Sequence, residues 1–149
     1  MKKLIGAFLA ILTWSSLAFG FEVPRLSGPV VDEARLLSPQ EQLELSELIR
    51  SVQNKGIAQI QVAIIKSLGG EPIEAVSIKI TDTWKLGDSK KDNGILFLIA
   101  VQDKKMRIEV GQGLEGDIPD LIARRILETK VQPFFRSGQF AQGIRSGLF

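Results

Sequence analysis

Gly94-Ile95-Leu96-Phe97-Leu98-Ile99-Ala100-Val101-Gln102-Asp103-Lys104-Lys105-Met106-Arg107-Ile108-Glu109-Val110-Gly111 is the stretch whose reading decides the fold. Ile95 to Val101 is continuously apolar, the pattern of a strand covered on both faces. Gln102 to Lys105 is a short polar turn. Beyond it Met106, Ile108 and Val110 alternate with Arg107 and Glu109, so the second strand has one polar face. Two strands this close form an antiparallel hairpin. A strand covered on both sides needs a layer of helices above and below it, and the flanking sequence supplies candidates for both.

Working back toward the N-terminus, Asp88 to Asn93 is a polar loop ending in Asn93-Gly94, a favoured turn pair. Before it, Ile73 to Lys85 reads as a helix with an apolar face of Ile73, Val76, Ile80 and Trp84, stopped at Gly87. Ile57 to Ile65 alternates at its centre and is rich in β-branched residues, as a strand is. The clearest helix start in the chain is Ser38-Pro39-x-Glu41, which combines an N-cap, proline at the first helical position and a capping box. Leu45, Leu48, Ile49 and Val52 continue that helix, and Lys55-Gly56 ends it. Pro24 and Gly28-Pro29 mark residues 21–29 as a loop leading into Val30-Val31-Asp32.

Working forward, Gly111-Gln112-Gly113-Leu114-Glu115-Gly116 is a glycine-rich loop. Its letters fit G-x-G-x-x-G, but it follows the antiparallel member of a hairpin and not the first strand of a βαβ unit. It therefore lacks the context of a dinucleotide site. Asp117 is expected to cap the next helix, with Pro119 and Asp120 in its first turn and Leu121, Ile122 and Ile126 inside. Pro133-Phe134-Phe135 reads as core between two helices. A last amphipathic segment from Gln139 carries Phe140, Ile144 and Leu148. Helix, strand, helix, strand pair, helix, helix gives an α/β layered domain with a mixed sheet.

The N-terminus has a different character. Met1-Lys2-Lys3, an apolar run from Leu4 to Leu12, and a small-residue exit with Ala18 and Gly20 in the −3 and −1 places read as a secretory signal peptide over residues 1–20. The expected divisions are thus 1–20 signal peptide, 21–29 lead-in and 30–149 folded domain, in an exported protein. Nineteen basic residues less Lys2 and Lys3 leave seventeen against seventeen acidic, so the mature chain is formally neutral and no nucleic-acid partner is implied. Roughly 129 residues remain, enough for one core without disulfides. Cys and His are both absent, which excludes zinc sites of the N/S type and Ser-His-Asp or Cys-His catalysis. A metal would have to be a hard cation held by oxygens. Three acidic or amide clusters sit in loops: Asp32, Asp88 to Asn93, and Glu115 with Asp117 and Asp120. Caps and turns account for much of this, but Glu115 sits beside glycines and no helix pattern requires it. The pattern breaks off at Phe149 without a helix-ending signal, and the natural polypeptide is expected to continue.

Val31-Asp32-x-Ala34-x-x-Leu37-Ser38, Trp84-x-x-Gly87, Asp92-Asn93-Gly94-Ile95-Leu96 and Arg107-Ile108-Glu109-Val110-Gly111-x-Gly113-Leu114-Glu115-Gly116 together resemble the TPM domain family. Ile126, Pro133-x-x-Arg136 and Gly143 extend the likeness over residues 28 to 149. The resemblance implies a three-layer α/β/α sandwich with a groove that binds calcium or another divalent cation. Carried over residue by residue, that groove falls on Asp32, Asp92, Asn93, Glu115 and Asp120, with Asp88 a weaker candidate. The family contains exported or membrane-anchored proteins, so the resemblance also implies partners among envelope membrane proteins and an anchor beyond the end of this chain. The expected function is divalent-metal binding in envelope or membrane-protein maintenance. The alternative is a metal-dependent acid phosphatase, an activity ascribed to some members. No activated nucleophile is visible in the sequence: Ser89 lies near the acidic loop without a base, and Arg107 could steady a phosphate but is expected to pair on the surface near Glu109.

Overall fold

Strand β3, Gly94–Ala100, is buried at every position, as its apolar run requires. In the computed structural model, which describes residues 20–149, it runs parallel to β2 (Gln59–Ile65) and antiparallel to β4 (Lys105–Val110). The expected signal peptide lies outside the described residues apart from Gly20. A short edge strand, β1 (Val30–Asp32), pairs parallel with β2 and completes an open four-stranded mixed sheet in the order β1-β2-β3-β4. Composition and periodicity did not set β1 apart from the lead-in, because three residues are too few to show an alternation.

Helix α1, Pro39–Gln53, has the capping box in full. The Ser38 hydroxyl accepts from the Glu41 backbone N–H and the Glu41 carboxylate from the Ser38 N–H. Helix α2, Ile73–Trp84, ends on Lys85 in the left-handed region and buries Ile73, Val76, Ser77, Ile80 and Trp84. After β4 comes a 3-10 turn, Gln112–Leu114, and then α3, Asp120–Ile126. The N-cap of α3 is Pro119 rather than Asp117, which instead lies in the turn before it. A π-helical segment, Leu127–Val131, joins α3 to α4, Gln132–Arg136. Pro133 accounts for its place: proline has no N–H to give the carbonyl of Thr129, and its ring crowds that turn. Helix α5, Phe140–Leu148, follows, and the Phe135 and Phe140 rings meet edge to face at 5.2 Å.

Alternation along the strands builds two cores. Val30, Val62, Phe97 and Ile108 are in register on one face and pack under α1, α3 and α5. Val31, Ala63 and Leu98 are in register on the other, under α2. The fold is therefore α/β with helices on both sides of the sheet. Because β1, β2 and β3 are neighbours in order while α1 and α2 lie on opposite faces, the two parallel crossovers have opposite hands. One of them departs from the right-handed rule.

Candidate functional site

The ends of the sheet separate the sequence-predicted residues. Asp32 closes β1 opposite Ile64, which pairs with Ile99 near the end of β3. Asp92 and Asn93 precede β3 at Gly94, five residues away from Ile99, so Asp32 stands about 16 Å along the sheet from them. Glu115 and Asp120 follow β4, which returns to the Gly94 end. The expected convergence of three loops is thus corrected to two, with Asp32 at the opposite end. There both Asp32 carboxylate oxygens accept backbone N–H groups, from Leu36 at 3.1 Å and Leu37 at 2.8 Å. They brace the bend in which Arg35 takes a φ of 52°.

At the Gly94 end, Asn93 is buried and its side chain closes its own loop and ties it to the segment before β2. Its Oδ1 accepts the Asp88 N–H at 3.0 Å, and its Nδ2 lies 3.4 Å from the Ile57 carbonyl as a donor. The residue with positive φ is Asp92, at 43°, so the simple Asn-Gly turn is also corrected. Asp92 Oδ2 accepts the Gln112 N–H at 3.1 Å at the start of the 3-10 turn. The glycine loop lies directly on this segment: a Cβ on Gly113 would fall 1.7 Å from the Lys91 carbonyl oxygen, and one on Gly111 2.3 Å from that of Asp92. The glycines therefore serve backbone-to-backbone packing. Asp88 accepts the Lys90 and Lys91 N–H groups, which hold its carboxyl below the usual aspartate range.

Beside this loop pair an open groove of about 470 Å³ runs along β4, between α2 and the start of α3. Glu74, Glu109, Glu115, Asp120, Arg107 and Arg124 contribute its polar wall. The polar face expected of β4 is partly covered here by α2, with Arg107 and Glu109 half-buried. Arg107 Nε donates to Glu109 Oε2 at 2.7 Å and to Ser77 Oγ at 3.2 Å. The Ser77 hydroxyl, fully buried, lies 2.7 Å from the same Glu109 oxygen and 2.8 Å from the Glu74 carbonyl. Asp120 pairs with Arg124 at 2.7 Å and with Arg107 at 3.7 Å. Burial opposes the charge on Arg107. The hydrogen bond and charge of Glu109, backed by Asp120 and Glu74, outweigh it and raise the guanidinium pKa above its ordinary value.

Ser77 escaped the sequence reading. Its signal was a hydroxyl four residues after Ile73 and three before Ile80, inside an otherwise apolar stripe. A polar residue there has to meet a polar partner, and Arg107 and Glu109 on β4 were the pair available. Glu115 is exposed on the groove wall. Asn93 and Asp92 belong to the adjoining loop, not to the groove. Among the described residues no three acidic side chains come together so as to hold a metal ion. No helix there is long and apolar enough to cross a membrane.

A family model described as the TPM domain matches residues 30–148. The N-terminal domain of a protein from P.gingivalis, solved by NMR, is 33% identical with a TM-score of 0.73, over 80% of this chain and 76% of that one. The N-terminal domain of a Corynebacterium glutamicum protein is 14% identical with a TM-score of 0.63, over 85% of this chain and 80% of its own. The BA42 protein of Bizionia argentinensis is 21% identical with a TM-score of 0.59, over 78% and 79%. These two show a shared fold alone. No curated protein matches the chain.

Proposed function

This chain belongs to the TPM domain family, and on that footing we propose that it is an exported binding domain. In this reading it draws a divalent cation, calcium foremost, to the groove along β4 and acts through envelope membrane proteins in their maintenance. The observation that carries the reading is the groove's charge: four carboxylates face two guanidiniums. Arg107 and Arg124 are answered by Glu109 and Asp120, which leaves Glu74 and Glu115 as the acidic surplus. Two carboxylates fall short of the six to eight oxygens calcium takes, so the residues present are not a finished cage and water would supply the balance. Export rests on the leader at residues 1–20, and the anchor expected beyond Phe149 would hold the domain at the membrane.

Binding is preferred to phosphatase chemistry because the reacting groups are not aimed. Arg107 is engaged by Glu109, Ser77 and Asp120, the Ser77 hydroxyl is buried, and Ser89 is exposed while the neighbouring Asp88 and Asp92 carboxylates accept backbone N–H groups and not its hydroxyl. The test is calcium titration of residues 21–149, followed by melting temperature and residue-resolved NMR. Calcium should raise the melting temperature by mass action, about 2.7 kcal/mol of stabilisation at a hundredfold excess over Kd. Shifts should centre on Glu74 and Glu115. A Glu74→Ala/Glu115→Ala variant that responds like the parent sinks the site. Metal-dependent hydrolysis of an activated aryl phosphate, lost in that variant, would establish the enzyme reading instead.

A further inference from the structure

Residues 20–29 precede the matched family region, yet the first of them are fastened to α2. The Trp84 indole N–H donates to the Pro24 carbonyl at 2.8 Å, and Lys79 Nζ donates to the Phe21 carbonyl at 3.1 Å. Phe21 and Val23 pack against the core on the α2 side. The strap begins with the backbone nitrogen of Phe21, which donates to Glu71 Oε1 at 2.9 Å. Gly20 is exposed, and a Cβ on it would have Glu71 Oε1 as its nearest neighbour, at 3.6 Å. The one backbone nitrogen that cleavage after Gly20 would convert to an amine is therefore already seated on a carboxylate.

We infer that Glu71 is the receptor for the α-ammonium of Phe21 released when the leader is removed, so that maturation seals residues 21–24 over α2. The inference rests on the leader reading and is independent of cation binding in the groove. In the step, an export endopeptidase hydrolyses the Gly20–Phe21 bond. Water gives its hydroxyl to the Gly20 carbonyl carbon and a proton to the Phe21 nitrogen, and the amine so formed takes a second proton from solvent near neutral pH. A neutral amide donor becomes a cation, so a hydrogen bond already assisted by the carboxylate's charge becomes an ion pair as well. Glu71 is partly shielded, whereas Lys79, 3.5 Å from the same oxygen, is more exposed. The ammonium thus shares the Glu71 carboxylate with Lys79.

The test compares the chain starting at Phe21 with a free amine and the same chain acetylated there, each as parent and as Glu71→Gln. The leader carries Trp14, so Trp84 is the sole tryptophan of these proteins and its fluorescence reports on the strap. Acetylation should lower the melting temperature of the parent and speed exchange of the Trp84 indole proton several-fold, and it should change neither in Glu71→Gln. Equal behaviour of free and acetylated parent chains overturns the lock, as does an acetylation effect that survives undiminished in Glu71→Gln. Mass spectrometry of the exported protein decides the premise separately. A terminus other than Phe21 overturns the proposal while leaving calcium titration of the groove unaffected.

Discussion

Glu41 shows how a single side chain carries both a helix end and a pH dependence. Hydrogen bonds from the Ser38 backbone and then the Ser38 hydroxyl hold its carboxyl below the ordinary glutamate value. A depressed folded pKa means that the contribution is present above the unfolded pKa and fades as pH falls through the folded one. The group is nearly fully exposed, so screening keeps the charge contribution small. Glu41→Gln should cost about 0.5 kcal/mol at neutral pH, and the difference from the parent should fade in acid as the carboxylate is protonated. Ser38→Ala should cost about 1 kcal/mol in both conditions. Urea unfolding at neutral and acid pH checks this; a Glu41→Gln deficit that persists in acid contradicts it. These caps were legible because they depend on residues three apart. Asp32 was only half legible: its loop position could be read, but not that Leu36 and Leu37 would occupy both its oxygens.

Among the elements, the glycine loop separates packing from permissiveness. Gly113 lies against the Lys91 backbone, whereas a Cβ on Gly116 meets nothing within 4 Å. Gly113→Ala should therefore lose about 3 kcal/mol, since neither backbone can yield cheaply. Gly116→Ala should stay within about 0.5 kcal/mol of the parent. Chemical denaturation of the pair reads the contrast, and equal effects would mean that the loop does not seat on residues 91–92. The sequence marks both glycines alike, because the spacing of letters carries no information about which backbone comes to lie beneath them. The π-helical segment before Pro133 is the converse case. Its cause is local, although its consequence, the path from α3 into α4, is felt across the core.

For the molecule as a whole, Phe97 joins the layers. It is fully buried at the centre of β3, in register with Val62 and Ile108 beneath α1, α3 and α5. Phe97→Ala should cost about 3–5 kcal/mol, a large fraction of the about 5–15 kcal/mol typical of a domain. The expected result is a lower urea midpoint with an unchanged slope; a loss under about 1 kcal/mol would place Phe97 outside the core. The chain itself determined the hairpin, the capped first helix, the apolar stripes and the α/β class, because each is written in residues within a few positions of one another. The pairing of β1 with β2, the opposite placement of α1 and α2 and the separation of Asp32 from Asp92 were decided only by the tertiary structure. So was the meeting of Ser77 with Arg107 and Glu109. Each depends on which elements become neighbours, and that choice is made by the burial of both sheet faces at once, a property of the assembled chain and of no segment alone.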